Sequence, residues 1–375
     1  MISFFIDKDN WKYFPVVLFI IVYGCSPQYV RNKEARDDVR AFQDAELAQS
    51  TISNTVHPSV ETVPVTCIST DDDAADDPAI WYNEEHPSLS VVYGSNKIEG
   101  IHAYNLKGKE LQFIPCGRIN NIDVRQAVIF GNQKIDVLAG SNRTDRSIDL
   151  FRILPDGRVD TNILGKIGLG EVKPYGFCMG KSENDLLHLY VNDKKGSILH
   201  FSVNALGDLS NMKNRRLSVE TQPEGMVVDD QNNKLYIGEE QKGIWVSDAF
   251  DTKSYRIDFF YNSTDKNPSI RYDIEGLALL PPHYLVASSQ GNFSYCIFDT
   301  RTKEYITSYK AMPEGQIDGV EETDGIEILS MPLSEQFKNG IFIAQDGFNY
   351  QDSTLLRQNF KFVDLQEIIN ILDSH

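Results

Sequence analysis

The stretch Asp77-Pro78-Ala79-Ile80-Trp81 places an acidic residue directly before an apolar run, and a polar residue before an apolar run recurs five more times in the chain. The later openings are Asp123-Val124, Tyr175-Gly176-Phe177, Glu224-Gly225-Met226, Glu275-Gly276-Leu277 and Asp324-Gly325-Ile326. Successive first residues lie 46, 52, 49, 51 and 49 positions apart. A repeat of roughly 40 to 50 residues is typical of the blades of a β-propeller.

Each opening is followed by a second apolar run that ends in a polar loop, as in Val91–Asn96 and Leu235–Glu240. Further short runs and turn signals complete four strands per segment. Helical periodicity is nearly absent before Leu365–Leu372. These features predict an all-β fold, a six-bladed β-propeller with four-stranded antiparallel blades around a central channel. The blades are expected to span Glu61–Lys361, and a strand near Val63–Ser69 is expected to close the ring by pairing with the last blade.

The N-terminal part of the chain is predicted to lie outside the propeller. Its apolar run Phe14–Tyr23 is too short to span a bilayer, and it ends at Gly24-Cys25, which resembles the lipobox of bacterial lipoproteins. We therefore expect residues 1–25 to be a signal peptide with a lipidated Cys25, residues 26–60 to be a polar tether, and residues 61–375 to be the propeller domain. The protein is expected to be exported, and either anchored through this lipid alone, on a periplasmic or cell-surface face, or secreted.

The composition restricts the partners of the protein. The chain has 54 acidic and 36 basic residues and a formal charge of -18, which disfavours binding to nucleic acid. A phosphate-rich ligand would need cations as partners. The cysteines of the propeller are widely spaced, fit no metal motif and are interpreted as free and buried, with disulfides as the alternative in an oxidising compartment; they are Cys67, Cys116, Cys178 and Cys296.

Equivalent positions of the blades form rings around one axis, because the first strand of every blade lines the channel. The first ring is predicted to hold Asp77, Asp123, Tyr175, Glu224, Glu275 and Asp324. The second is predicted to hold Lys97, Arg143, Lys194, Glu240, Gln290 and Asp346. Crowded carboxylates must protonate or bind cations, and oxygen donors without His or Cys favour Ca²⁺ over Zn²⁺. Since the basic members of the second ring fall on the first three blades, one side of the channel mouth is expected to bind metal and the other an anion.

From Glu61 to Phe362 the chain resembles the bacterial β-propeller phytases. The resemblance rests on segments that occur in order and at the blade period: Ala75–Trp81, Asn120–Arg125, Ser141–Arg143, Tyr175–Phe177, Glu224–Met226, Tyr236–Glu240, Asp273–Gly276, Ala287–Asn292, Thr323–Ile326, Ala344–Gly347 and Gln358–Lys361. It implies a calcium-dependent hydrolase of phosphate monoesters, of the 3-phytase type, that acts on phytate or calcium-phytate as a monomer and binds several calcium ions. Water would attack phosphorus in line, without a covalent nucleophile on the enzyme.

The resemblance also implies roles for particular residues. The catalytic calcium ligands and water-positioning groups would be Asp76, Tyr175, Glu224, Glu240, Asp273, Glu275 and Asp324. The groups that contact phosphate would be Lys97, Arg143 and Lys194, together with Tyr175. A separate calcium site, which resembles a structural one, would be formed by Asp318, Gln345 and Asp346. The chain departs from the family where Ile98 replaces a second Lys and where Asp193 replaces a Gly, and the run Asp71–Asp73 is interpreted as a solvated turn.

Two alternatives stay open at the level of sequence. A lipid-anchored propeller could use calcium only to hold its blades together and bind a partner at its rim. A six-bladed hydrolase of the lactonase type also keeps calcium in its channel, but such enzymes have fewer bases at the mouth. The bases Lys97, Arg143 and Lys194 therefore favour phosphate chemistry.

Overall fold

Six antiparallel sheets follow one another along the chain in the computed structural model, which describes residues 40–67, 73–209, 212–262, 267 and 269–375. Residues 40–49 form helix α1. They are followed by strands β1 (Asn54–Val56) and β2 (Pro58–Glu61). The sheets confirm the predicted six-bladed β-propeller.

The first three blades each take four consecutive strands of the chain. Blade 1 contains β3 (Ala75–Trp81), β4 (Val91–Asn96), β5 (Gly100–Asn105) and β6 (Glu110–Ile114). Blade 2 contains β7 (Ile119–Phe130), β8 (Gln133–Asn142), β9 (Ser147–Ile153) and β10 (Gly165–Gly168). Blade 3 contains β11 (Phe177–Lys181), β12 (Leu187–Asn192), β13 (Ser197–Ser202) and β14 (Lys213–Ser218).

The last three blades follow the same order, with additions from the N-terminal strands. Blade 4 contains β15 (Pro223–Asp229), β16 (Lys234–Glu239), β17 (Gly243–Asp248) and β18 (Ile257–Asn262). Blade 5 contains β19 (Ile274–Leu280), β20 (Tyr284–Ser289), β21 (Ser294–Asp299) and β22 (Tyr305–Ala311). Blade 6 contains β23 (Ile326–Leu329), β24 (Ile341–Asp346) and β27 (Asn359–Asp364), with the hairpin β25 (Tyr350–Gln351) and β26 (Thr354–Leu355) between the last two.

The innermost strands form a closed circle. Strands β3, β7, β11, β15, β19 and β23 contact one another in turn, and β23 contacts β3. Apolar side chains fill the space between neighbouring blades, as where Tyr93 and Ile101 of blade 1 pack with Leu138 and Phe151 of blade 2. The interior is therefore a series of inter-blade cores around a polar channel.

Strands from the N-terminal region complete the last two blades. Strand β2 pairs antiparallel with β27 as the outermost strand of blade 6, and β1 pairs parallel with β22 of blade 5. The prediction of a closing strand at Val63–Ser69 is wrong for residues 63–67, because the regular ladder lies at Pro58–Glu61, and residues 68 and 69 lie outside the described part of the chain. The next residues still follow β27, since Val65 N donates to Gln358 O at 3.0 Å and the Val65 side chain is fully buried. Part of the segment 26–60, which was assigned to a tether, thus pairs with the blades.

The remaining predictions concern the two ends of the chain and the cysteines. The run Phe14–Tyr23 and Cys25 lie outside the described residues. Helix α2 covers Leu365–Leu372 as predicted, and the Asp364 side chain accepts a hydrogen bond from Gln366 N at its start. In the part of the chain that the structure describes, no helix combines the length and hydrophobicity of a membrane span. No disulfide joins the four described cysteines, and both Cys178 and Cys296 are buried.

Candidate metal and phosphate site at the mouth of the propeller

A β-bulge occurs at the start of the innermost strand in four blades. The pairing register shifts between Ala75 and Pro78, Ile119 and Ile122, Pro223 and Met226, and Ile274 and Leu277. A bulge turns a side chain out of the regular alternation of the strand. In these four bulges the first residue is Asp76, Asn120, Glu224 and Glu275, respectively. Blades 3 and 6 have Tyr175 and Asp324 just before their inner strands. We call these six residues the mouth ring.

A glycine follows the mouth-ring residue in blades 3 to 6, because the inner strands of neighbouring blades approach closely there. A Cβ atom on Gly176 would lie 2.0 Å from Glu224 O, and one on Gly225 would lie 2.1 Å from Glu275 O. A Cβ atom on Gly276 would lie 2.7 Å from Asp324 O, and one on Gly325 would lie 2.6 Å from Asp76 O. The repeated dipeptides of the sequence therefore specify the contact that sets one blade against the next.

The prediction that Asp77 and Asp123 belong to this ring is wrong. Asp77 Oδ2 accepts a hydrogen bond from Ile122 N at 3.0 Å, and Asp123 Oδ2 accepts one from Met179 N at 2.7 Å. Each carboxylate thus connects its own inner strand to that of the next blade. The bulge shifts the register, so that Asp76 and Asn120 take the ring positions instead.

Three glutamates converge at the mouth. One carboxylate oxygen each from Glu224, Glu240 and Glu275 lies within 4.8 Å of the others, and all three side chains are buried. Burial, followed by the charge of Glu224, raises the pKa of Glu275 well above its usual value. Burial also raises the pKa of Asp76, against the opposing effect of Lys97. Both oxygens of Asp76 and Oε2 of Glu275 have no hydrogen bond among the described residues.

Two further carboxylates border this group. Burial raises the pKa of Glu240 to about 7, even though Gln222 Nε2 donates a hydrogen bond to Glu240 Oε1. The half-buried Asp273 has its pKa raised by burial and then by the charge of Glu224. Like charges without enough partners must either protonate or attract a cation. The cluster is therefore suited to a divalent metal.

Lys97 stands on one side of the carboxylates. Its Nζ lies 2.8 Å from Asp324 Oδ2, 3.5 Å from Asp76 Oδ2 and 2.5 Å from Asp73 Oδ1. Burial alone would lower the pKa of Lys97, but the carboxylates outweigh burial and raise it, so the ammonium stays charged. Asp324 Oδ1 accepts a second hydrogen bond from Gln290 Nε2 at 2.7 Å. Burial raises the pKa of Asp324 to about 6.

The other predicted phosphate contacts lie across the mouth, on blades 2 and 3. Burial, and then the charge of Glu224, raises the pKa of the Tyr175 hydroxyl above its usual value. Lys194 Nζ lies 3.9 Å from the centre of the Tyr175 ring. Arg143 Nη1 donates to Asn120 Oδ1 at 3.0 Å, and Asn120 Nδ2 donates to Glu224 Oε1 at 2.9 Å. Arg143 is thus connected to the carboxylate cluster through Asn120, and Lys194 lies against the Tyr175 ring.

Comparison with known proteins assigns the chain to a family. The sequence model of the Phytase family matches residues 39–375. The chain belongs to the Phytase family. It is 35% identical over 323 residues to a 3-phytase of Bacillus subtilis (strain 168), a match that covers 82% of this chain and 83% of the relative. It also resembles a chain in a crystal structure of the mitotic checkpoint complex, with a TM-score of 0.48 and 12% identity, over 83% of this chain and 93% of the other.

The predicted second calcium site of this Phytase family member is divided in the structure. Nζ of the fully buried Lys361 contacts Asp318 Oδ1, and it lies 2.9 Å from Asp346 Oδ2. Gln345 faces elsewhere, since its Oε1 accepts a hydrogen bond from Asp324 N at 2.8 Å. A cation between Asp318 and Asp346 would have to displace the ammonium of Lys361. Calcium binding at these three residues stays a prediction.

Two residues at the mouth were missed by the sequence analysis. Asn120 links Arg143 to Glu224. It lies in the segment Asn120–Arg125, which the sequence analysis identified, but Asp123 was assigned to the ring because it is acidic. Asp73 was interpreted as part of a solvated turn. It is indeed exposed, but its carboxylate pairs with Lys97. No spacing rule gives that contact, because Asp73 precedes the repeat.

Proposed function

We propose that this chain hydrolyses phosphate monoesters of phytate in a calcium-dependent reaction at the mouth ring. Membership of the Phytase family and the 3-phytase relative support phytate as the substrate. The observation that carries the proposal is the convergence of Glu224, Glu240 and Glu275 beside Lys97 and Lys194. A site with crowded carboxylates and adjacent cationic side chains can bind a metal and a phosphate side by side.

The residues present fit a calcium ion. Buried carboxylate oxygens without hydrogen bonds, on Asp76 and Glu275, are donors that a cation would satisfy. The donors are hard oxygens, and Ca²⁺ takes six to eight of them. The residues that would hold calcium are Asp76, Glu224, Glu240, Asp273, Glu275 and Asp324.

When bound, calcium would neutralise charge on the phosphoryl oxygens and lower the pKa of a water molecule. The chain's own side chains supply the rest. Lys97, Arg143 and Lys194 carry positive charge that can stabilise the equatorial oxygens of the phosphoryl group. Tyr175 stays protonated beside the charge of Glu224, while Asn120 fixes Arg143 relative to the same carboxylate. Glu224 and Glu240 are the groups that position the attacking water.

The test of this function is phosphate release from phytate by the purified chain in the presence of calcium. We expect release that rises with calcium and stops after addition of a chelator. A calcium-stabilised binding propeller would release no phosphate under any of these conditions. Matched incubation with a lactone distinguishes the hydrolase of the lactonase type.

We also propose that the protein is exported and lipidated at Cys25, because the apolar run Phe14–Tyr23 ends at Gly24-Cys25. Incorporation of labelled palmitate into the wild type, and its loss in Cys25→Ala, would support the proposal. Equal labelling of the two proteins would contradict it.

A further inference from the structure

Gln222 lies at the mouth but has no part in the reaction proposed above. Its side-chain Nε2 donates a hydrogen bond to Glu240 Oε1, and its backbone oxygen accepts one from Glu240 N at 3.0 Å. The Glu240 side chain is buried, and no other hydrogen bond from a described residue reaches its carboxylate. In the described part of the chain, the Gln222 amide is therefore the one donor to Oε1, and Oε2 has none.

The local sequence orients the Gln222 side chain toward this carboxylate. Pro223 follows it, and a residue before proline is restricted to extended backbone. On either side of Gln222 the chain is held against the residue before Glu240, because Thr221 Oγ1 donates to Glu239 Oε1 at 2.6 Å and Pro223 pairs with Glu239 in the β-ladder. The amide thus has a defined direction before any metal binds.

Two other carboxylates of the mouth have the same kind of neutral partner. Asn120 Nδ2 donates to Glu224 Oε1 at 2.9 Å, and Gln290 Nε2 donates to Asp324 Oδ1 at 2.7 Å. An amide group holds one oxygen of a carboxylate without cancelling the negative charge, so the carboxylate can still bind a cation. Gln222 extends this pattern to Glu240.

A charged partner has a different effect, as Lys361 shows. Its ammonium contacts both Asp318 and Asp346, so a cation between these two carboxylates would have to displace it. Glu240 has a neutral hydrogen-bond partner and adjoins the other two glutamates of the mouth cluster. Its hydrogen bond therefore orients the carboxylate and leaves the charge to an external cation.

We propose that Gln222 is a positioning residue that sets the calcium affinity of the mouth, because its amide holds Oε1 of Glu240 and leaves Oε2 to the metal. The inference rests on the proposed function, in which Glu240 is a calcium ligand. Loss of a hydrogen-bond partner of a metal ligand weakens metal binding by about 10- to 100-fold. Since Gln222 is neutral and acts through Glu240, its loss should change calcium binding more than the KM for phytate.

The experiment titrates calcium into metal-free wild type, Gln222→Met and Gln112→Met by calorimetry, in the absence of substrate. Methionine is similar in length to glutamine but has no N–H donor. Gln112 is the matched control, because its half-buried amide exchanges hydrogen bonds with the Val159 backbone, at 3.0 and 2.9 Å, on the outermost strand of blade 1. We expect Gln222→Met to weaken at least one calcium site about ten-fold, and the control to bind calcium as wild type does.

Phosphate release from phytate provides a second readout for the same variants. In Gln222→Met the calcium concentration that gives the half-maximal rate should rise about ten-fold, and this rise should exceed any change in the KM for phytate at saturating calcium. A merely structural role of Gln222 would instead lower the Tm of the metal-free protein and leave the calcium dependence unchanged. Gln222→Lys is measured in parallel, because its ammonium would compete with calcium for Glu240 and should also weaken calcium binding.

A calcium Kd in Gln222→Met equal to that of wild type, or an equal change in Gln112→Met, would overturn the inference. If Gln222→Met does not fold, wild-type calcium affinity in Gln222→Lys would overturn it. A wild type that binds calcium but releases no phosphate would refute the proposed function, and weaker calcium binding by Gln222→Met would still support the inference. A wild type that binds no calcium would overturn both.

Discussion

Asp76 and Asp77 are neighbours in the chain, yet they lie in two regions with different chemistry. Asp76 faces the mouth, where its nearest partner is Lys97 at 3.5 Å and neither oxygen has a hydrogen bond among the described residues. Asp77 instead faces the inner strand of the next blade, where it accepts a hydrogen bond from Ile122 N, and we call Asp77 and the similarly placed Asp123 the lower tier. In the same tier, Asp123 pairs with Arg125 at 2.8 Å and accepts from Met179 N.

The comparison shows what distinguishes a binding carboxylate from a structural one. Backbone N–H groups and Arg125 satisfy the carboxylates of the lower tier, so the protein itself supplies their partners. At the mouth, several buried carboxylates surround a few cationic groups, and some of their oxygens have no hydrogen bond among the residues that the structure describes. An external cation is the partner that would complete the mouth, whereas the lower tier connects the blades.

The largest expected effect is a difference in catalytic activity between a substitution at the mouth and one in the lower tier. We expect Glu224→Gln to lower kcat for phosphate release from phytate by about 10²- to 10³-fold, because the amide cannot position or deprotonate water as the carboxylate does. The control is Asp77→Asn, which removes one carboxylate from the lower tier but keeps an acceptor for Ile122 N. It should retain most of the wild-type kcat, and comparable losses in the two variants would remove the distinction between the tiers.

A second effect concerns the contact that positions the mouth. Gly225→Ala would place a methyl group against Glu275 O, so we expect the free energy of unfolding to fall by about 1–3 kcal/mol in urea denaturation. Gly168→Ala is the matched control, since among the described residues only its chain neighbours would lie within 4 Å of the added methyl group. Its effect should stay within about 0.5 kcal/mol. Equal stability of the two variants would show that the glycines do not set the spacing of the blades.

The smallest expected effect is a pH dependence of calcium stabilisation. Burial raises the pKa of Asp324 to about 6 and that of Glu240 to about 7. At a pH between the usual pKa of such a carboxyl group and its raised pKa, the folded chain therefore binds more protons than the unfolded chain. These groups therefore make the metal-free protein less stable as pH rises through this range. Calcium must displace the same protons.

The rise in Tm on calcium addition should accordingly be larger at pH 8 than at pH 5.5, by on the order of a few degrees. Differential scanning calorimetry with and without calcium measures it. The difference should shrink in Glu240→Gln and persist in Asp77→Asn. A calcium-induced shift that is the same at both pH values would contradict the role of these protons.

The fold and four of the six mouth-ring residues were predictable from the repeat. Tyr175, Glu224, Glu275 and Asp324 are each followed by glycine, because a Cβ there would collide with the next blade, and this marks the position in sequence. Blades 1 and 2 have no such glycine. The nearest acidic residues, Asp77 and Asp123, were then chosen, but a strand alternates with period two and a bulge shifts that alternation.

The strand that closes the last blade was harder to predict. The closing strand was predicted at Val63–Ser69, where Val65 packs in the core, although the ladder with β27 forms at Pro58–Glu61. In such a case the pattern of apolar residues predicts which side chains are buried, but it does not predict which residues form the hydrogen-bonded ladder.

The most direct test of the account is a calorimetric titration of calcium into the metal-free protein, carried out on wild type, Glu275→Gln and Asp77→Asn. We expect wild type and Asp77→Asn to bind the same number of calcium ions, and Glu275→Gln to bind at least one ion fewer. Identical isotherms for all three proteins, or a wild type that binds no calcium, would contradict the claim that the mouth carboxylates hold the metal.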